Sequence, residues 1–133
     1  MEKLLNWISL LFGFLGGCLA KVFGGYDVLL TTIILLAVID YFSGVLKAIY
    51  NKELSSAIGY KGIIKKIMMF VVIALACIIQ KLLADSIPLR EVTISFFIAN
   101  EGISLLENAT TIIPIPDRLK EVLLQLRDKK KEW

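Results

Sequence analysis

The chain has 133 residues, 57% of them apolar, with 15 basic residues against 12 acidic ones and no histidine. A soluble domain of this length lacks the interior volume to hide so much apolar surface, whereas lipid accepts apolar side chains on every face of a helix. Two cysteines, Cys18 and Cys77, make no disulfide framework, and a chain without histidine or clustered cysteines is not expected to hold zinc, haem or another cofactor.

A membrane-crossing helix needs about 20 mainly apolar residues, and four segments approach that length. The first, residues 4–20, is short and glycine-rich. Its Asn6, Ser9, Gly13, Gly16, Gly17 and Ala20 recur at spacings of three and four, which puts a small, polar stripe on an otherwise apolar helix. Gly13 and Gly17 form a GxxxG pair, and the helix-packing residues Gly13, Gly16 and Gly17 suit either a neighbouring helix of the chain or a second copy. This segment either crosses the bilayer or lies in its interface.

The second segment, residues 28–50, places Asp40 near its midpoint with Gly44 and Ala48 on the same face. Lys47 follows two turns on, within reach of the membrane surface by snorkelling. In the loop that follows, Ser55 and Ser56 suit the cap of the next helix, and Gly59-Tyr60-Lys61-Gly62 reads as a turn. The third segment, residues 63–84, has an unbroken apolar centre from Ile67 to Ile79, where Cys77 is a small hydrophobe. The fourth, residues 92–113, is the most polar: Glu101 sits near its midpoint, and Asn100, Ser104, Glu107, Asn108 and Thr111 extend a polar stripe. Pro114 and Pro116 stop it, since proline lacks the amide donor a helix interior needs. Asp117 suits the cap of a final helix with Leu119, Val122, Leu123 and Leu126 on one face, ending in a charged tail. The fold class expected is therefore an all-α integral membrane protein, a single membrane domain over residues 1–133. It has four hydrophobic helices and a short amphipathic cytoplasmic helix in the tail 117–133.

Positive residues are retained on the cytoplasmic side. Lys47, Lys52, Lys61, Lys65 and Lys66 lie between the second and third segments, and six more basic residues follow Pro116. Four crossings with both termini in the cytoplasm put 12 of the 15 basic residues inside and leave Lys21, Lys81 and Arg90 outside. Three crossings put 11 inside and 4 outside, so the hairpin of segments three and four is better determined than the side of the N-terminus.

A charge at bilayer depth costs about 2.5–3.5 kcal/mol on insertion scales, so Asp40 and Glu101 need protonation, a partner helix or water. Catalysis has little to rest on. No histidine exists to activate Ser55 or Ser56, and the two mid-membrane acids lie where a nucleotide does not reach, which argues against a lipid kinase. The basic tail suits anionic lipid headgroups; it lacks the aromatic residues that stack on nucleic-acid bases.

Four motifs carry a resemblance. They are Asp40-Tyr41 with Gly44 and Ala48; Leu54-Ser55-Ser56 with Gly59, Gly62, Lys65 and Lys66; Asn100-Glu101-Gly102-Ile103-Ser104 with Leu106-Glu107-Asn108; and Pro114-Ile115-Pro116 with Leu119. In that order, across roughly residues 40–120, the chain resembles the toxin-secretion and phage-lysis holins of Gram-positive bacteria and their phages. The resemblance implies a non-enzymatic protein without cofactor that accumulates in the cytoplasmic membrane and oligomerises with itself. At a set time it permeabilises the membrane and releases an endolysin or a large toxin. The pore and assembly candidates are then Asp40, Gly44, Lys47, Asn100, Glu101, Ser104, Glu107 and Asn108. The loop residues are Ser55, Ser56, Gly59, Gly62, Lys65 and Lys66. An inhibitory or accessory membrane partner of a holin and a small transporter or channel are the alternatives.

Overall fold

The computed structural model describes residues 1–131, which form five helices and no strand: α1 (Glu2–Val22), α2 (Val28–Tyr50), α3 (Ser56–Leu82), α4 (Leu89–Thr110) and α5 (Asp117–Lys131). Glu132 and Trp133 of the expected tail lie outside the described residues, as do the side chains of Leu126, Arg127 and Lys129 to Lys131.

Local chemistry sets most of the helix ends. Gly24 and Gly25 take positive φ after α1, a conformation that costs glycine little. Asp27 then caps α2, its Oδ1 accepting from the Leu30 N–H at 2.9 Å. Ser55 caps α3 in the same way, accepting from the Ile58 N–H at 3.3 Å; Ser56 is the first helical residue and does not cap. The α3–α4 connection turns through left-handed Ala84 and Asp85, and α4 ends before the two prolines as expected.

One sequence expectation is corrected here. The segment Gly59-Tyr60-Lys61-Gly62 is not a turn but part of α3, because the Ser55 cap starts the helix before it. Glycine in a helix interior costs roughly 0.5–1 kcal/mol relative to alanine, and here it makes room for α2. A Cβ on Gly59 would sit 3.2 Å from the Tyr41 hydroxyl, and one on Gly62 would sit 3.2 Å from the Tyr41 ring. The expected crossings are met in part. The helices long and apolar enough to span a bilayer are α1, α2 and α3. The 21-residue α1, expected to be short, is among them; α4 is not, because Asn100, Glu101, Glu107 and Asn108 reduce its hydropathy.

The most polar of the four long helices is also the most enclosed. α4 packs closely on α2 and also contacts α3 and α5, while α2 and α3 touch each other much less. Leu30, Ile33 and Ala37 of α2 meet Met69, Ile73 and Cys77 of α3 and Ile94 of α4 in the apolar core. The spacing of these residues is the three-four helical repeat. α1 stands apart, contacts only α3 among the helices and buries no residue. Nothing lies within 4 Å of a Cβ built on Gly13, Gly16 or Gly17, so among the described residues no helix packs against their stripe, although the Tyr26 hydroxyl donates to the Gly16 carbonyl at 3.1 Å; Cys18 beside it is exposed. α5 folds back along α4: a Cβ on Gly102 would lie 3.2 Å from Leu123. Leu123 and Leu124 are its half-buried residues, whereas Leu119 and Val122 of the expected apolar face are exposed.

Gly62→Leu should therefore push Tyr41 out of place and lower the stability of the detergent-solubilised chain by about 1–3 kcal/mol. Gly13→Leu, which meets nothing among the described residues, should leave thermal unfolding followed by circular dichroism unchanged.

Candidate functional site

Three helices meet through one cation. Lys66 of α3 donates from Nζ to Asp40 Oδ2 of α2 and to Glu101 Oε2 of α4. Asp40 is buried, and Lys66 and Glu101 are largely so. The other oxygen of Asp40 accepts from Asn108 Nδ2 at 3.3 Å, and the same amide donates to Ser43 Oγ at 3.0 Å. Ser43 closes the group by donating to the Asp40 backbone carbonyl at 2.7 Å. Both mid-helix acids are thus partnered within one chain, and the triad of Asp40, Lys66 and Glu101 carries one negative charge in excess.

Two cavities flank Lys66. One, of about 330 Å³, lies between α2 and α3 near their connecting turn and is lined by Gly44, Lys47, Gly59, Gly62, Lys65 and Asn108 among others. The other, of about 270 Å³, lies on the α4 side and is lined by Asn100, Glu101, Ser104 and Glu107, with Lys65 and Lys66. The polar stripe of α4 is therefore divided, with Asn108 turned to Asp40 and exposed Asn100 and Glu107 on the second cavity. The expectation that Lys66 belongs to the cytoplasmic loop is corrected: it lies in the bundle. The stripe of Gly13, Gly16 and Gly17 belongs to α1 and takes no part, and Ser55 and Ser56 stay at the start of α3.

A second polar cluster closes the opposite end of the bundle, and sequence reasoning does not find it. Arg90, which the charge count leaves as a basic residue outside the membrane, is 6% exposed. Its guanidinium grips both oxygens of Asp27 at 2.8 and 2.9 Å and also donates to the carbonyls of Phe23 and Gly25. Its backbone N–H donates to Gln80 Oε1 at 2.7 Å. Gly24 has to be glycine: its φ is +80°, and a Cβ would lie 2.8 Å from Arg90 Nε. The Arg90 hydrogen bonds outweigh desolvation and hold the Asp27 carboxyl down at about 2, against an ordinary 3.8.

Two outcomes follow. Lys66→Met should strand two buried carboxylates and cost about 3–5 kcal/mol in detergent unfolding, while the triple variant Asp40→Asn, Glu101→Gln, Lys66→Met should recover most of that loss. Because the folded pKa of Asp27 is depressed, its contribution is complete above its ordinary value and is lost as pH falls from about 4 towards 2. An acid titration of the melting temperature should show that step in the wild type and lack it in Asp27→Asn.

Comparison with known proteins gives the arrangement a family. The model of the bacteriophage holin family matches residues 17–128. An uncharacterized 14.9 kDa protein of Clostridium perfringens is 39% identical over 98% of this chain and all of its own length. A Listeria monocytogenes protein, also uncharacterized, is 39% identical over 93% of this chain and 87% of its own. A probable holin of Bacillus phage phi105 is 38% identical over 68% of this chain and 70% of its own. No solved structure matches. With three helices able to span a bilayer and a family match over most of its length, the chain is a membrane protein that belongs to the bacteriophage holin family.

Proposed function

We propose that this protein is a holin that assembles in the bacterial cytoplasmic membrane and permeabilises it at a timed moment, releasing an endolysin or a large toxin. The observation that carries the proposal is the single Lys66 cation shared by Asp40 and Glu101. Within one chain these acids share a cation and are enclosed, so the membrane tolerates them. When copies assemble, the cavity lined by Asn100, Glu101, Ser104 and Glu107 turns towards neighbouring polar faces and fills with water. The carboxylates then face an aqueous lumen, and their mutual repulsion keeps it wide.

Helix-packing faces exist for such assembly. The Gly13, Gly16 and Gly17 stripe of α1 has no helix packed on it among the described residues, and close approach through small residues is how helices associate in lipid. Release of α5 would free the Gly102 face of α4 for the same use. α4 crosses the membrane with its polar stripe covered by α2, α3 and neighbouring copies. With α4 crossing, the α2–α3 turn and both termini lie in the cytoplasm, on the side of most of the basic residues. Each elementary charge moved through the membrane potential is worth about 2.3 kcal/mol per 100 mV, so depolarisation favours the assembled form.

Cells expressing the chain alone should lose membrane potential and release a cytoplasmic marker protein abruptly after a delay. Asp40→Asn and Glu101→Gln should each shift that time. Wild-type timing in both variants would sink the mechanism, and slow, selective ion flux would indicate a channel or transporter. Normal accumulation in the membrane without any permeabilisation would indicate an accessory partner.

A further inference from the structure

The cleft between α2 and α3 has two parts of opposite character. Near the α2–α3 turn lies the polar cavity of about 330 Å³, with Lys47 on the α2 wall and Lys65 and Lys66 on the α3 wall. Beyond it, towards the middle of the two helices, lies a cavity of about 310 Å³ lined by Ile34, Val38, Ile63, Ile67 and Phe70. Tyr41 and Lys66 line both, so the polar part adjoins the apolar part at these residues. Each is of the size that holds small ligands, which starts at about 300 Å³.

The charges in the polar part are not all used. Lys66 is committed to Asp40 and Glu101. Lys47 is half-buried and Lys65 exposed, and among the described residues neither side chain has a hydrogen bond or ion pair. Glu53, exposed at the mouth, and Asp40 are the acids of this cavity, so its lining sets three lysines, Lys47, Lys65 and Lys66, against two carboxyl groups. The Lys47 and Lys65 ammonium groups come from facing helices, at the end of the cleft where the chain turns. Charge complementarity calls for an anion there.

The dimensions call for more than an anion. From Lys47 back to Ile34 the helix rises about 20 Å. One leaflet contributes about 15 Å of hydrocarbon, so this run of α2 matches a headgroup and the upper length of an acyl chain. Val38 is 63% exposed and Ile67 59%, which leaves the apolar part open along its length. An anionic head beside Lys47 and Lys65 leads directly into an apolar groove running towards the bilayer centre. This is the order of groups in a phospholipid of the leaflet that the α2–α3 turn faces.

We infer that the α2–α3 cleft is a binding site for an anionic phospholipid, its phosphate held between Lys47 and Lys65 and one acyl chain laid along Ile34, Val38, Ile63 and Ile67. The site does not depend on permeabilisation, and a chain that never opens a hole would still carry it.

Native mass spectrometry of the full chain in detergent tests this by titration with phosphatidylglycerol, phosphatidylcholine and inorganic phosphate. One phosphatidylglycerol per chain should be retained in preference to phosphatidylcholine, and phosphate should not displace it. Lys47→Gln with Lys65→Gln should weaken retention about 30-fold, from the attraction each lysine exerts on an anionic surface. Val38→Trp, which fills the groove from an exposed position, should also weaken it, with helix content unchanged by circular dichroism in both cases. Equal retention of phosphatidylcholine, displacement by inorganic phosphate, or undiminished retention of phosphatidylglycerol in the double-lysine variant would overturn the assignment.

Discussion

One ammonium group between two carboxylates, in the middle of three helices, is the constraint on which the bundle depends. Placing three charges at bilayer depth costs roughly 8–10 kcal/mol on insertion scales. Each contact to Lys66 returns about 4 kcal/mol at the effective dielectric of a partly enclosed site, and repulsion between the carboxylates removes part of that. The terms nearly cancel. The triad therefore contributes little net stability, yet it leaves few ways to arrange the helices. α2, α3 and α4 have to bring Asp40, Lys66 and Glu101 to one point, because any arrangement that leaves one of them alone in lipid carries its full desolvation cost. This is why the most polar of the four long helices is the most enclosed one, with the apolar surfaces of α1, α2 and α3 turned outward.

The features legible in the sequence are those that local chemistry determines. Position alone marks Asp40 and Glu101 as mid-helix acids, Ser55 is identifiable as a cap, and the stop at Pro114 needs only the missing amide. What is not legible depends on contacts between distant residues. Lys66 meets Asp40 across 26 residues and Glu101 across 35. Nothing in a stretch of basic residues distinguishes the one that turns inward. A signal does exist: a helix starting at the Ser55 cap already places Lys66 about three turns inside it. Reading Gly59 and Gly62 as turn residues conceals that, since glycine's low helix propensity outweighs the cap until Tyr41 supplies the reason for glycine. Arg90 is harder still. Its partners Phe23, Gly25 and Asp27 lie more than 60 residues away in a loop with no apparent function.

The two ends of the bundle are built differently. At the Arg90 end, a bidentate ion pair and two backbone carbonyls join α4 to the α1–α2 loop, and Gly24 permits the close approach. At the other end, α2 and α3 are separated by a cleft in which the Lys47 and Lys65 side chains have no partner among the described residues. One end is fastened by the protein itself, whereas the other leaves two cations for the membrane surface to satisfy. Rearrangement of the bundle is consequently easier at the α2–α3 turn than at the α3–α4 turn.

That asymmetry bears on how the proposed holin would open. Opening from the α2–α3 end moves α3, and with it Lys66, relative to α2 and α4. Separation of Lys66 from either acid exposes a carboxylate that lipid does not accept, so the motion is forbidden unless water enters with it. The triad's excess negative charge acts in the same direction, since a hydrated lumen screens it and a closed bundle does not. The helices thus remain closed while they are surrounded by lipid. They separate readily only where several polar faces meet and water is already present. On the proposed holin reading, cooperative assembly would follow from that condition: one chain opening alone would carry the whole desolvation cost, whereas a ring of chains would share a single aqueous interior.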